Sequence, residues 1–298
     1  MVTGDEAARR VRITEVGPRD GLQNEPGIIP IEQKRALVDA LAATGLQEIE
    51  VGSFVRPDVI PQLADSAELF ESLPRHAGVV YSALVPNLRG LERALEVQVD
   101  KVAVFTSASE GFARANVNAS IAETIDRFRP VIEGAHAAGR PVRGYVSCVV
   151  ACPYDGGIEP ALVRDACERL LEIGIDELDL GDTIGAARPE DIEALLAGLD
   201  GLVATDDLVL HLHDTNGMAL ACARRALELG IRRFDSACGG LGGCPFAPGS
   251  PGNVGTEALV RLCEELGFET GIDRAGVEAA AQAIITSLKT SRGDRTSG

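Results

Sequence analysis

Eight short runs of apolar and β-branched residues recur roughly every 25 to 40 residues, each followed by a stretch with helically spaced apolar positions. The runs begin at Val11 (VRITEV), Gln47 (QEIEVG), Val79 (VVYSAL), Lys101 (KVAVF), Val142 (VRGYVS), Asp176 (DELDLG), Leu208 (LVLHLH) and Ile231 (IRRFDS). Helical patterns fill the intervals, for example Ile31–Ala43, Ile121–Ala138, Pro160–Ile173 and Met218–Leu229. Strand and helix alternate with no Pro- or Ser-rich linker, which predicts a single α/β domain on a parallel sheet. Eight such units fit a (β/α)8 TIM barrel over about 11–270, then a C-terminal helix at about 273–290 and a polar tail at 291–298. A doubly wound sheet is the alternative, weakened because no GxGxxG follows the first run.

Unusual polar residues fall at the ends of these runs. Arg19 and Asp20 follow the first, Glu50 and Ser53 end the second, and Asp182 follows the sixth. His211 and His213 close the seventh, and Asn253 follows the eighth. In a barrel all of these gather at the C-terminal rim, where barrel enzymes build their sites. Side chains two apart on a strand point the same way, so both imidazoles project together. With Asp20 as carboxylate and Asn253 as amide, the set suits Mg²⁺ or Mn²⁺; zinc more usually recruits a third nitrogen or a sulfur.

Arg19, in Gly17-Pro18-Arg19-Asp20-Gly21, reads either as part of a charged turn or as a cation aimed at an oxygen that gains charge during reaction. Glu50, expected to point into the barrel mouth, is placed to hold the guanidinium fork of Arg19. Asp182 reads as an acid–base group or as an anchor for a metal-bound histidine. Cys244 lies among glycines in Gly239-Gly240-Leu241-Gly242-Gly243-Cys244-Pro245. Such a segment predicts a loop that closes over a ligand and delivers a thiol as proton donor or nucleophile.

Composition narrows the partners. The net charge of −17 argues against nucleic acid, while a local cationic pocket for a polyanionic small molecule stays open. No apolar stretch approaches the roughly 20 residues needed to cross a bilayer. Seven cysteines, an odd count, and an N-terminus without an apolar core predict reduced thiols in a cytoplasmic enzyme.

Taken in order, EVGPRDGLQNE (Glu15–Glu25), Glu50 with Ser53-Phe54, VRGYVSC, GDTIG (Gly181–Gly185), HLHDTNG (His211–Gly217), GLGGCPFAPG (Gly240–Gly249) and Gly252-Asn253 resemble the 3-hydroxy-3-methylglutaryl-CoA lyase family. The resemblance runs from about Val11 to Asp273. It implies a metal-assisted retro-Claisen cleavage of a 3-hydroxyacyl-CoA, with Asp20, His211, His213 and Asn253 on the ion. It also implies Arg19 at the thioester carbonyl, Cys244 as catalytic thiol, Arg143 at the CoA end and Glu257 in support of Asn253. His211, Asp20 or Asp182 would take the hydroxyl proton, and a homodimer is open as the assembly. One position departs: Asp179 stands where the family carries a serine that helps to bind the acyl group. A carboxylate there, about 4 Å from an acyl chain's own carboxylate, would cost roughly 4 kcal/mol. This leaves cleavage of another 3-hydroxyacyl-CoA such as citramalyl-CoA, or a related acyl-CoA condensation, as alternatives.

Overall fold

In the computed structural model, which describes residues 9–242 and 252–293, all eight runs are strands. They are β1 (Arg12–Glu15), β2 (Glu48–Ser53), β3 (Val80–Leu84), β4 (Lys101–Ser107), β5 (Val142–Ser147), β6 (Glu177–Asp182), β7 (Leu208–Leu212) and β8 (Arg233–Ser236). Each pairs in parallel with its sequence neighbours, and β1 pairs with both β2 and β8, closing the barrel. The expected (β/α)8 TIM barrel is the fold. A two-stranded hairpin, Ala151–Cys152 with Gly156–Gly157, lies outside the barrel; its strands are too short to register as a hydrophobic pattern.

The strands close into a barrel because their outer faces need cover. Leu178 and Leu180 on β6 and Leu208 and Leu210 on β7 are buried, and the apolar stripes of the intervening helices complete this layer. Local signals start these helices. Ser120 opens the helix Ile121–Ala137 with a reciprocal capping box, accepting from Glu123 N at 3.2 Å while Ser120 N donates to Glu123 Oε2 at 2.7 Å. The helix expected near 273–290 spans Arg274–Gly293 and packs against the helix Ile31–Ala42 and the turn Cys238–Gly240.

The barrel interior is unusually polar for this fold, where branched apolar side chains are the norm. Lys101 Nζ on β4 donates to Glu48 on β2 at 2.9 Å and also to Glu177 on β6. Arg143 on β5 donates to Glu177 at 2.6 Å, to Asp235 on β8 at 2.9 Å and to Thr14 on β1 at 2.9 Å. Lys101, Arg143 and Asp235 are buried and Glu48 and Glu177 half-buried, so each needs its partner in place.

Cohesion of the apolar layer is testable at Leu180, which is fully buried. Leu180→Ala is expected to lower stability by about 2–5 kcal/mol in urea unfolding. A loss under about 1 kcal/mol would show that the helix layer collapses into the void.

Candidate metal centre at the barrel mouth

The segment after β1 does not form an ordinary turn. Gly17–Gly21 winds one π-helical turn, with Val16 O accepting from the N–H groups of Arg19, Asp20 and Gly21 at 3.1, 2.8 and 3.1 Å. Such turns are rare and recur at functional sites. This one aims Asp20 across the mouth toward the end of β7.

There the strand pleat sends His211 and His213 to the same side, their Nε2 atoms 3.2 Å apart. Asp20 Oδ2 lies 3.9 Å from His211 Nε2 and 3.8 Å from His213 Nε2. The Asn253 segment pairs beside β7: Val254 N donates to Leu212 O at 2.9 Å and Asp214 N to Gly252 O at 2.8 Å. This brings Asn253 Nδ2 to 2.9 Å from Asp20 Oδ2. Gly252 and Gly242 touch so closely that a Cβ on Gly252 would run into the Gly242 carbonyl. The two ends of the 243–251 segment therefore meet beside Asn253. Cys244 lies outside the described residues.

Electrostatics match the geometry. Burial opposes ionisation of Asp20, but Arg19, then His211 and His213, outweigh it and hold the carboxyl far below its usual range. Burial, then the adjacent His211, lowers the His213 pKa to about 4, so its ring is neutral with a lone pair to offer. Burial also disfavours charge on His211, yet its 3.1 Å hydrogen bond with Asp235 and the charge of Asp20 raise its pKa overall. Asp235 thus fixes the His211 ring through Nδ1 and leaves Nε2 for the mouth, as carboxylates do behind metal-bound histidines. Sequence reasoning missed Asp235. The signal was its place two residues after Arg233 on β8, a charge on the inward face of a strand.

Arg19 donates to Asp20 Oδ1 at 2.6 Å and, through Nε, to Glu50. Glu50 Oε2 accepts from the Tyr145 hydroxyl at 2.8 Å, so the guanidinium is held in one orientation beside the carboxylate–imidazole cluster. The structure therefore brings together Asp20, His211, His213, Asn253, Arg19 and Glu50.

Five expected positions make other contacts. Arg143 does not reach the rim: it is buried in the interior ion pairs described above, because its place near the start of β5 sets it low in the barrel. Asp179 is fully buried at the level of Tyr145, 3.5 Å from Arg143 Nη1 and beside Asp235. Burial, then the Asp235 charge, pushes its pKa well above the usual value. Asp182 turns from the cluster; its two oxygens accept from Ala186 N at 3.0 Å and Ala187 N at 2.9 Å, organising the loop after β6. Burial, only partly offset by those bonds, raises its pKa to about 6. Ser53, at the end of β2, is buried with its backbone N–H donating to Ser66 Oγ at 3.1 Å. Glu257, expected to support Asn253, instead accepts from Gly239 N.

The fold and donor set define a class: a (β/α)8-barrel protein with donors for a divalent ion at its C-terminal rim. The HMGL-like family model matches residues 10–284. The hydroxymethylglutaryl-CoA lyase of Pseudomonas mevalonii is 46% identical over 285 residues, covering 96% of this chain and 95% of the relative. The solved HMG-CoA lyase of Brucella melitensis superposes with a TM-score of 0.92 at 47% identity, covering 94% of this chain and 99% of that one. An HMG-CoA lyase from Acinetobacter baumannii, solved with coenzyme A and 3-methylmalate, gives 0.90 at 37%, covering 95% and 92%. The chain belongs to the HMGL-like family, that of the hydroxymethylglutaryl-CoA lyases.

One buried acid near the site offers a pH test. Glu15 ends β1 and is wholly buried; burial lifts its pKa from a usual 4.5 to about 7, against three hydrogen bonds that lower it. Between those values the folded chain keeps a proton that the unfolded chain releases, so this group's contribution falls as pH rises, by on the order of 3 kcal/mol. Glu15→Gln removes the titration. Its melting temperature is expected to gain on that of the parent as pH goes from about 5 to about 8. A gap that does not change with pH would show that Glu15 ionises normally.

Proposed function

We propose that the chain is a carbon–carbon lyase that cleaves 3-hydroxy-3-methylglutaryl-CoA to acetyl-CoA and acetoacetate. The observation that carries this reading is the convergence of Asp20 and the two Nε2 atoms, whose ligand atoms all lie within 4.8 Å of one another, beside an oriented arginine. The names of relatives 44–46% identical over nearly the whole chain supply the substrate.

The donors fit a divalent cation: one ionised carboxylate, one neutral imidazole and a second imidazole fixed by Asp235. A half-turn of the Asn253 amide adds its carbonyl oxygen to the set. Mg²⁺ or Mn²⁺ held there would gather the substrate's 3-hydroxyl and carbonyl oxygens and favour loss of the hydroxyl proton.

The residues then divide the remaining work. Arg19, locked by Glu50, binds the thioester oxygen, where charge develops. The hydroxyl proton passes to Asp20 or His211, since Asp182 is committed to its loop. The C3 oxygen becomes a carbonyl as the C2–C3 bond breaks, its electron pair moving to C2 to form the enolate of acetyl-CoA. Cys244 gives a proton to C2 and the proton held by Asp20 or His211 restores the thiol, so the sum is one bond cleaved with no redox change.

Purified protein with Mg²⁺ is expected to release acetyl-CoA from the substrate and to lose that activity when chelator is added, restored by Mg²⁺ or Mn²⁺. Full turnover in excess chelator would remove the metal from the reading. Cys244→Ser is expected to lose at least about 100-fold in kcat with Mn²⁺ affinity nearly intact; parental turnover would take the thiol out of the mechanism.

A further inference from the structure

Glu15 has a second property that the reaction scheme does not use. Its carboxyl joins three segments that are far apart in the chain. Oε1 accepts from Gly17 N at 2.7 Å, at the start of the π-turn carrying Arg19 and Asp20. The same oxygen accepts from Cys238 N at 3.0 Å, where the chain leaves β8 toward the 243–251 segment. Oε2 accepts from the Thr256 hydroxyl at 2.7 Å, three residues after Asn253 and at the start of the helix Thr256–Glu265.

The surroundings leave this carboxyl no other occupation. Glu15, Thr256 and Ser236 are all fully buried, and Ser236 Oγ sits 2.8 Å from Thr256 Oγ1. No cation pairs with Glu15 among the described residues, although burying an acid without one is costly. A second acid, Glu257, accepts from the next N–H along, that of Gly239. Each atom that Glu15 holds is a backbone or hydroxyl group at the root of a segment reaching the mouth. Moving any root moves Asp20, Asn253 or the glycine-rich segment relative to the others.

We infer that Glu15 is a positioning residue for the metal centre: its carboxyl sets the spacing of Asp20, Asn253 and the root of the Cys244 loop. This rests on the metal-site reading above. What matters is reach and acceptor geometry, because the carboxyl touches neither ion nor substrate. Glutamine preserves an oxygen for the two N–H groups, and the Thr256 hydroxyl can reverse to accept from its amide.

The test compares variants that cut the tie with variants that keep it. Glu15→Asp shortens the acceptor and Thr256→Val deletes the third donor; Glu15→Gln and Thr256→Ser keep the connections. Binding of Mn²⁺ alone is read by electron paramagnetic resonance on each purified protein, and kcat and KM are read separately. Glu15→Asp and Thr256→Val are expected to weaken Mn²⁺ binding and lower kcat by about tenfold or more, with KM moving less than about threefold. Glu15→Gln and Thr256→Ser are expected to stay within about threefold of the parent. Thr256→Val carries the test if Glu15→Asp fails to fold. Two results overturn the inference: Mn²⁺ binding within about twofold of the parent in the cut variants, or equal impairment in all four. A parent protein that binds no Mn²⁺ overturns the site reading, and this inference with it.

Discussion

Closure of the sheet, by the pairing of β1 with both β2 and β8, is the constraint on which everything else depends. Asp20 and Asn253 stand 233 positions apart, and only this closure sets the loops after the first and last strands side by side. The histidine pair arrives by a different route, from the pleat of a single strand. A centre assembled from both kinds of placement is only as well defined as the hydrogen-bonded ring beneath it.

Within that frame, electrostatics rather than shape prepares the site. Three groups that would be costly to bury alone are buried together, and each changes what the next can do. Arg19 keeps Asp20 ionised, and Glu50 and Tyr145 keep Arg19 from turning. Asp235 binds one face of His211 and so determines which nitrogen is presented. The neighbouring His213 is left uncharged by the same crowding. An apolar pocket with the same four donors would lack this preparation and would have to reorganise when a ligand bound.

Much of this was legible in the chain. The eight runs, the pair at 211 and 213, the acidic and amide partners and the pairing of Arg19 with Glu50 follow from periodicity and from where polar residues interrupt it. Most of the differences share one cause. Alternation along a strand tells which face a residue occupies, but not how high it sits in the barrel. Arg143, which the resemblance put at the CoA end, and Asp179, which it put at the acyl-binding serine, both lie in the interior, because register around the ring determines height. Asp235 was overlooked for the same reason in reverse. Asp182 was misjudged differently: a carboxylate beside two unsatisfied loop amides is drawn to them, and that competition is invisible until the loop's path is known.

The charged interior has a consequence for how the chain assembles. Lys101, Glu48, Glu177, Arg143 and Asp235 come from five different strands; Arg143 and Glu177 pair between neighbours, and the other links join strands that are not adjacent. A half-built barrel would strand some of them without a counterpart, at a penalty that an apolar lumen would never impose. Partly closed intermediates are thereby disfavoured, and the last strand to dock cancels several unmet charges at once. The network thus favours all-or-none closure over gradual zippering, trading some depth of stability for a sharper distinction between finished and unfinished chains.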